Sequence, residues 1–287
     1  MDSLAIAQRD LDAYLSQAEA VILPRALSEK AGAIPLTPET KLRVGVDLGT
    51  AYLVLVVTDE SGTPLAGEWQ FAEVVRDGLV VDYIGATDLL RGMKARVEQR
   101  IGRELRHAAS GYPPGVPSVE VRATAHVVEA AGMDCSGLIG EPSAANNVLR
   151  LQEGAIVDVG GGTTGIAVLK DSKVIYTADE PSGGTHFTLV IAGALGISFE
   201  EAEALKTTLA EQPRLLPVVR PVMEKVANIT EQHIHGKDVK QITMVGGSAA
   251  FLGMADVVQD YIGIPTRVVS HPLFVTPLGL ALHDPPQ

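Results

Sequence analysis

Cysteine is almost missing: Cys135 is the only one in 287 residues, which excludes an internal disulfide and any thiolate zinc cluster. Its ordinary reading is a small buried hydrophobe rather than a reactive thiol. Aromatic residues are also scarce, at 4% of a chain that is 46% hydrophobic, so the core must be built from Ala, Val, Leu and Ile. No basic run interleaved with aromatics occurs, and the net charge is −12. Such a chain repels nucleic acid and anionic membranes, and neither is an expected partner. No segment approaches the ~20 apolar residues that a membrane span needs. The N-terminal residues lack the basic start and unbroken apolar stretch of an export signal, so the expected compartment is the cytoplasm. A G-x-x-x-x-G-K-[ST] run is absent as well, which excludes a P-loop.

What is present suits one large α/β domain or two medium ones. Glycine (29) and proline (17) are frequent enough for many tight turns. Residues 3–23 read as an amphipathic helix with Leu4, Leu11, Leu15, Ala18 and Ile22 on one face. A turn-rich loop from Pro24 to Pro38 follows, so residues 1–40 read as a helix and linker. The first compact domain is expected over residues 41–152. It opens with strands Arg43–Asp47, Tyr52–Thr58 and Ala66–Phe71, separated by turns too short for a helix. The pattern then predicts a helix over Thr87–Ala108, a breaker at Gly111–Gly115 and a strand at Val119–Val121. A short helix at Ala125–Ala131, a strand at Leu138–Glu141 and a helix at Ser143–Leu151 complete it. A second domain is expected over residues 153–270, with helices at Thr185–Ala194, Ser198–Leu209, Pro217–His235 and from about Phe251 to Ile262. Its later strands read as Gln241–Val245 and Thr266–Val269. Residues 271–287 carry a last helix, Pro277–Leu282, returning to the first domain.

The strongest internal signal is a duplication. Arg43–Ala66 and Gly154–Tyr176 share one grammar: apolar strand, Asp-apolar-Gly, a Thr-bearing turn, apolar strand, turn, strand. A tight hairpin with glycine at its bend can turn successive backbone N–H groups toward a phosphate. Asp47 and Asp158 stand where each first strand runs out, where two carboxylates can hold a hydrated Mg²⁺. One hairpin alone reads as an ordinary turn; two with the same grammar favour phosphate binding. Gly160, Gly162 and Gly165 also satisfy G-x-G-x-x-G, with Asp179 following. A dinucleotide fingerprint must open a helix, however, and Ile166–Leu169 reads as a strand.

Val46-Asp47-Leu48-Gly49-Thr50, Val157 through Thr163, and Ile242 through Ser248 resemble the first phosphate, second phosphate and adenosine motifs of the actin-like ATPase superfamily. Gly140-Glu141-Pro142-Ser143-Ala144-Ala145 resembles the connecting helix start of DnaK-type chaperones. Together these motifs cover residues 41–283. The chain length and the Val75-Arg76-Asp77-Gly78 segment resemble the EutJ family, chaperone-like proteins of ethanolamine-utilisation operons. MreB, the bacterial actin, is similar at Val75–Asp82 and Ala202–Lys206. The resemblance implies an α/β fold of two duplicated ribonuclease-H-like domains around a nucleotide cleft that closes over ATP or ADP with Mg²⁺.

By the same resemblance, Asp47 and Asp158 hold the Mg²⁺ shell through water, with Asp158 and Glu141 as the catalytic pair. Glu141 positions the attacking water, although a Glu at a helix start also suits the helix dipole. Gly49, Thr50 and Ala51 contact phosphates from one half, and Gly161, Gly162 and Thr163 from the other. Gly184 and Thr185 close on the phosphates at a helix start, and Gly246, Gly247 and Ser248 meet the adenosine. Glu203 and Lys206, three apart on one helix face, either grip ribose and base or form a solvated pair. Two departures stand out: Gly165 occupies a position where DnaK-type chaperones carry Asp, and no Lys lies between Lys41 and Lys94. Fewer charges aimed at the γ-phosphate imply slow or absent hydrolysis. His233 and His235 complete no recognised metal spacing and read as surface residues. The implied partners are microcompartment shell proteins or ethanolamine-degrading enzymes; the rival implication is an MreB-like nucleotide-dependent polymer or scaffold.

Overall fold

A computed structural model describes residues 11–76 and 79–287. The chain forms two compact units: one runs to Arg150 and is rejoined by Phe274–Gln287, the other is Leu151–Leu273. The first unit contains α1 (Leu11–Val21), β1 (Ile22–Pro24), α2 (Arg25–Ser28), β2 (Leu42–Leu48), β3 (Tyr52–Asp59) and β4 (Pro64–Phe71). A small hairpin of β5 (Val75–Arg76) and β6 (Leu79–Val80) precedes α3 (Tyr83–Ile101), β7 (His107–Tyr112), α4 (Ser118–Ala130), β8 (Asp134–Gly140) and α5 (Glu141–Leu149). The second unit contains β9 (Gly154–Val159), β10 (Thr164–Lys170), β11 (Lys173–Glu180), α6 (Gly184–Leu195), α7 (Phe199–Thr207) and α8 (Gln212–Ile234). It ends with β12 (Ile242–Val245), α9 (Met254–Ile262) and β13 (Thr266–Val268), after which α10 (Val275–His283) belongs to the first unit.

Each unit is built on the same five-stranded plan. In the first, the order β4-β3-β2-β7-β8 pairs the opening meander antiparallel and the two later strands parallel. In the second, β11-β10-β9-β12-β13 repeats that order and those directions. The first unit adds β1 in parallel beside β4. Val-rich β3 is buried along both faces, as expected of a central strand covered on each side. One face of the first sheet packs Leu42, Val44 and Val46 with Leu90, Met93 and Val97 of α3. In the second unit Val157, Ile166 and Val168 pack with Phe187, Val219 and Met223.

The other side of β2 carries α10, and glycine makes that approach possible. A Cβ on Gly45 would fall 2.4 Å from the Pro277 oxygen, and one on Gly279 would fall 1.8 Å from the Ala144 oxygen of α5. Beyond α10, the buried Asp284 carboxylate accepts from the Val44 amide at 2.9 Å, lies 2.8 Å from His107 Nδ1 and accepts from the Ser136 hydroxyl. Gln287 and Leu42 exchange both backbone hydrogen bonds, at 2.8 and 3.0 Å.

Several expected elements differ, among them the loop at Pro24–Pro38, which opens with the end of β1 and the short helix α2. The helix at 87–108 ends instead at Gly102, which takes the left-handed conformation (φ 65°), and His107–Tyr112 forms the strand β7 between β2 and β8. Val119–Val121 is the first turn of α4 rather than a strand; its apolar alternation misleads because Val119 is 76% exposed. α8 begins at Gln212 and runs through Pro217 and Pro221. The two missing N–H groups are tolerated because Leu215, Val219, Val222, Met223 and Val226 bury one face. Of the helix expected over 3–23, residues 3–10 lie outside the described residues, Leu11–Val21 is helical, and Ile22 begins β1.

Ala at position 279 should lower unfolding stability by at least ~2 kcal/mol in a urea titration, because α5 must move to admit the methyl. Gly193, exposed in α6 with open space at its Cβ, should gain about 0.5–1 kcal/mol on the same substitution. Equal effects of the two changes would contradict this packing.

Candidate functional site

Three loops of the second unit meet on one short stretch of backbone. β9 places Asp158 at its penultimate position and breaks at Gly160, whose amide donates to the Thr163 oxygen at 3.0 Å to form a tight turn. The loop from β11 to α6 crosses this turn: the Gly184 amide donates to the Gly160 oxygen at 2.9 Å and the Thr185 amide to the Gly161 oxygen at 2.8 Å. Thr164 fastens the same loop by donating to the Ser182 oxygen at 2.6 Å. The third loop follows β12, and Ser248 Oγ donates to the Gly160 oxygen at 2.8 Å. Side chains are excluded where backbones touch. A Cβ on Gly183 would stand 2.7 Å from the Gly160 oxygen, and one on Gly184 would stand 2.3 Å from Ser248 Oγ. Gly246 has φ 88°, and a Cβ there would meet Asp158 Oδ1 at 2.2 Å.

Glu203 and Lys206 lie beside this junction, and they are not a solvated pair. Their side chains are only 15% and 11% exposed, with Lys206 Nζ 2.6 Å from Glu203 Oε2. Lys206 also donates to Thr188 Oγ1 at 3.0 Å and to the Gly184 oxygen at 3.2 Å. Burial pulls the Lys206 ammonium below its usual range, and the Glu203 charge opposes that pull. Glu203 Oε2 additionally lies 2.5 Å from Thr188 Oγ1. Among the described residues, Glu203 Oε1 is buried without a hydrogen-bond partner, a condition that proteins seldom leave uncompensated. Buried Gln212 joins this corner to the loop after β12, donating to the Lys206 oxygen and accepting from the Leu252 amide, both at 3.0 Å.

The first unit holds its own set. Asp47 is the last but one residue of β2, and the Gly49 amide donates to the Tyr52 oxygen at 3.1 Å across the bend that contains Thr50 and Ala51. Glu141 opens α5, with its Cγ 3.2 Å from where a Cβ on Gly111 would lie. The pairings Val46↔Ser110, Gly111↔Ile139 and Tyr112↔Gly140 put Asp47 and Glu141 at the same edge of the sheet.

The loop geometry joins Asp158, Gly161, Gly184, Thr185, Lys206, Glu203, Gly246 and Ser248 in one neighbourhood, with Gly162, Thr163 and Gly247 in the connecting turns. Thr188 and Gln212 belong there too and carry no sequence signal; a threonine in a helix and a glutamine before a proline are common anywhere. Among the described residues, no three His, Cys, Asp or Glu side chains are gathered as a metal-binding group. His233 is half-buried rather than a plain surface residue: its ring bonds Tyr176 Oη at 2.7 Å and Glu180 at 3.1 Å.

The MreB/Mbl protein family profile matches residues 66–210, and that of cell division protein FtsA matches residues 155–279. Ethanolamine utilization protein EutJ of Escherichia coli is 41% identical over 248 residues, covering 86% of this chain and 87% of that protein. The crystal structure of EutJ from Carboxydothermus hydrogenoformans is 44% identical with a TM-score of 0.88, over 96% of this chain and 99% of the other. The chain belongs to the EutJ family. Spiroplasma citri MreB5 bound to AMPPNP matches this EutJ-family chain at a TM-score of 0.69 and 17% identity, over 84% of it and 95% of the other, a likeness of fold alone. The fold is actin-like, its two ribonuclease-H-like units each on the five-stranded plan described above.

The buried pair gives a stability test of this corner. Lys206→Met leaves the largely buried Glu203 carboxylate without its cation and should cost about 3 kcal/mol in chemical denaturation. Adding Glu203→Gln should recover much of that loss, whereas simple additivity of the two single changes would show that the ion pair is not coupled.

Proposed function

We propose that this EutJ-family protein binds ATP with Mg²⁺ and serves ethanolamine utilisation as a chaperone-like, nucleotide-responsive protein that hydrolyses ATP slowly or not at all. The observation that carries the reading is the convergence of three glycine-bearing loops on Gly160 and Gly161, beside a buried carboxylate oxygen with capacity to accept. In this reading the amides of Gly161, Gly162 and Thr163 face phosphate oxygens, since those of Gly184 and Thr185 are committed to fastening the loops. Gly49, Thr50 and Ala51 make the corresponding contacts from the first unit. Glu203 Oε1 accepts from a ribose hydroxyl, and Lys206 holds Glu203 in place. Gly246, Gly247 and Ser248 present a surface against which the base lies. Asp47 and Asp158 hold water molecules of the Mg²⁺ shell, and the ion, when bound, offsets the phosphate charge. Glu141 orients the attacking water.

Slow turnover follows from what stands near the phosphates. Gly165 supplies no carboxylate, and the first unit has no Lys between Lys41 and Lys94, so little charge stabilises the transition state. The partners are proposed to be microcompartment shell proteins or ethanolamine-degrading enzymes, in the cytoplasm or associated with the microcompartment. The similarity to MreB/Mbl proteins over residues 66–210 supports a second reading, a polymerising scaffold.

Calorimetric titration of Mg·ATP should show saturable binding, and a chain that gives none would end the proposal. Glu203→Ala should weaken ATP about tenfold, the effect of losing one hydrogen bond to a charged acceptor. The same variant should leave 2′,3′-dideoxy-ATP nearly unaffected, and an equal loss for both nucleotides would remove the ribose contact. Sedimentation of nucleotide-dependent filaments would transfer support to the scaffold reading.

A further inference from the structure

We infer that Asp179 is a further acidic residue of the nucleotide site and that, with Asp158, it holds the water shell of the Mg²⁺ accompanying ATP. The inference rests on the ATP reading above. It arises from strand register. Gly165 of β10 is paired with Asp158 of β9 on one side and with Asp179 of β11 on the other. Directly opposed residues on neighbouring strands share a face of the sheet, so both carboxylates emerge on the same face, flanking a residue that has no side chain. A Cβ on Gly165 would stand 3.6 Å from Asp179 Oδ1 and 3.8 Å from Asp158 Cβ. The Asp179 carboxylate thus leans over the glycine toward Asp158.

The two residues also end their strands alike. β9 and β11 both run antiparallel to β10, and each aspartate is the last but one residue of its strand. They stand at one edge of the sheet, where the Gly160–Thr163 turn and the Pro181–Gly183 loop depart. Those are the loops that Gly184 and Thr185 lace together, so Asp179 reaches the phosphate turn from the strand that leads into α6.

Size decides the kind of ligation. Strands lie about 4.8 Å apart, so Cα atoms two strands apart are separated by ~10 Å. Mg²⁺ keeps waters at about 2.1 Å, and a carboxylate accepts from such a water at about 2.7 Å. The Asp158 carboxylate is turned toward Gly246, on the β12 side of its strand, so the two acidic groups are splayed rather than opposed. That spread suits acceptance from the waters of one hydrated ion rather than two direct bonds. Asp179 is therefore a positioning residue acting through metal-bound water. A side chain at position 165 would occupy the space in which those waters sit.

The test measures ATP affinity by calorimetry, with Mg²⁺ and with EDTA, for the natural chain, Asp179→Asn and Glu180→Gln. Asp179→Asn should keep its affinity in EDTA and lose about tenfold of the gain that Mg²⁺ brings, the usual size of an outer-shell effect. Glu180→Gln, one residue on and facing the other side, should keep the full gain. Mn²⁺ bound with ATP should show a changed paramagnetic spectrum in Asp179→Asn alone. An undiminished Mg²⁺ gain in Asp179→Asn overturns the inference. So does an equal loss with and without metal accompanied by a lower melting temperature, which would mark a purely structural aspartate. If the natural chain binds no ATP under either condition, the ATP reading itself fails, an outcome distinct from the other two.

Discussion

The Gly160 carbonyl oxygen accepts from the Gly184 amide and from the Ser248 hydroxyl, and the whole candidate site depends on that shared acceptor. Ser248 is 88 positions away along the chain, so the junction forms only after the second unit has its strands in order. A carbonyl with two lone pairs can take both bonds, but only if the approaching backbones have no Cβ in the way. The glycines at 183, 184 and 246 satisfy that condition, each at a place where a methyl group would overlap backbone, the Ser248 hydroxyl or the Asp158 carboxylate. The glycine pattern of this chain is thus a record of where polypeptide meets polypeptide.

The paired hairpins, the two acidic strand ends and the loop after β12 were legible because each needs particular residue types at fixed offsets. The actin-like fold followed from the family resemblance that these motifs carry. Less was legible where tertiary packing overrode local pattern. β7, His107–Tyr112, contains Ala-Ala-Ser-Gly, a run with little β-propensity that becomes a strand because it fills the place between β2 and β8. Val119 and Val121 imitate a strand in sequence but belong to a helix that leaves Val119 in solvent. α8 crosses two prolines that local rules treat as helix breakers, held by its buried stripe. In the site, the spacing of Glu203 and Lys206 marked them as neighbours, but only burial separates a buried ion pair from a solvated one. Thr188 and Gln212 were invisible because nothing in their type or spacing distinguishes them.

The two units share a strand order. Repetition of 3-2-1-4-5 connectivity, with the first three strands as an antiparallel meander and the last two parallel, explains why the motifs recur in the same places. Strand ends at one edge of such a sheet are where loops can offer backbone amides and short acidic side chains together. Specialisation then lies in the additions: β1 and α1 beside β4 in the first unit, and the α6–α7 corner with its largely buried Lys206 in the second.

The exchange of backbone hydrogen bonds between Leu42 and Gln287, with α10 seated on β2, has a consequence for biogenesis. A ribosome delivers residues 151–273 as one continuous stretch, so the second unit has all its parts before the first does. The first unit must hold β2 with one side uncovered until residues 274–287 emerge, exposing apolar surface during that wait. Completion therefore runs in the reverse of translation order, and the nascent chain is most vulnerable to aggregation through its earliest-made sheet.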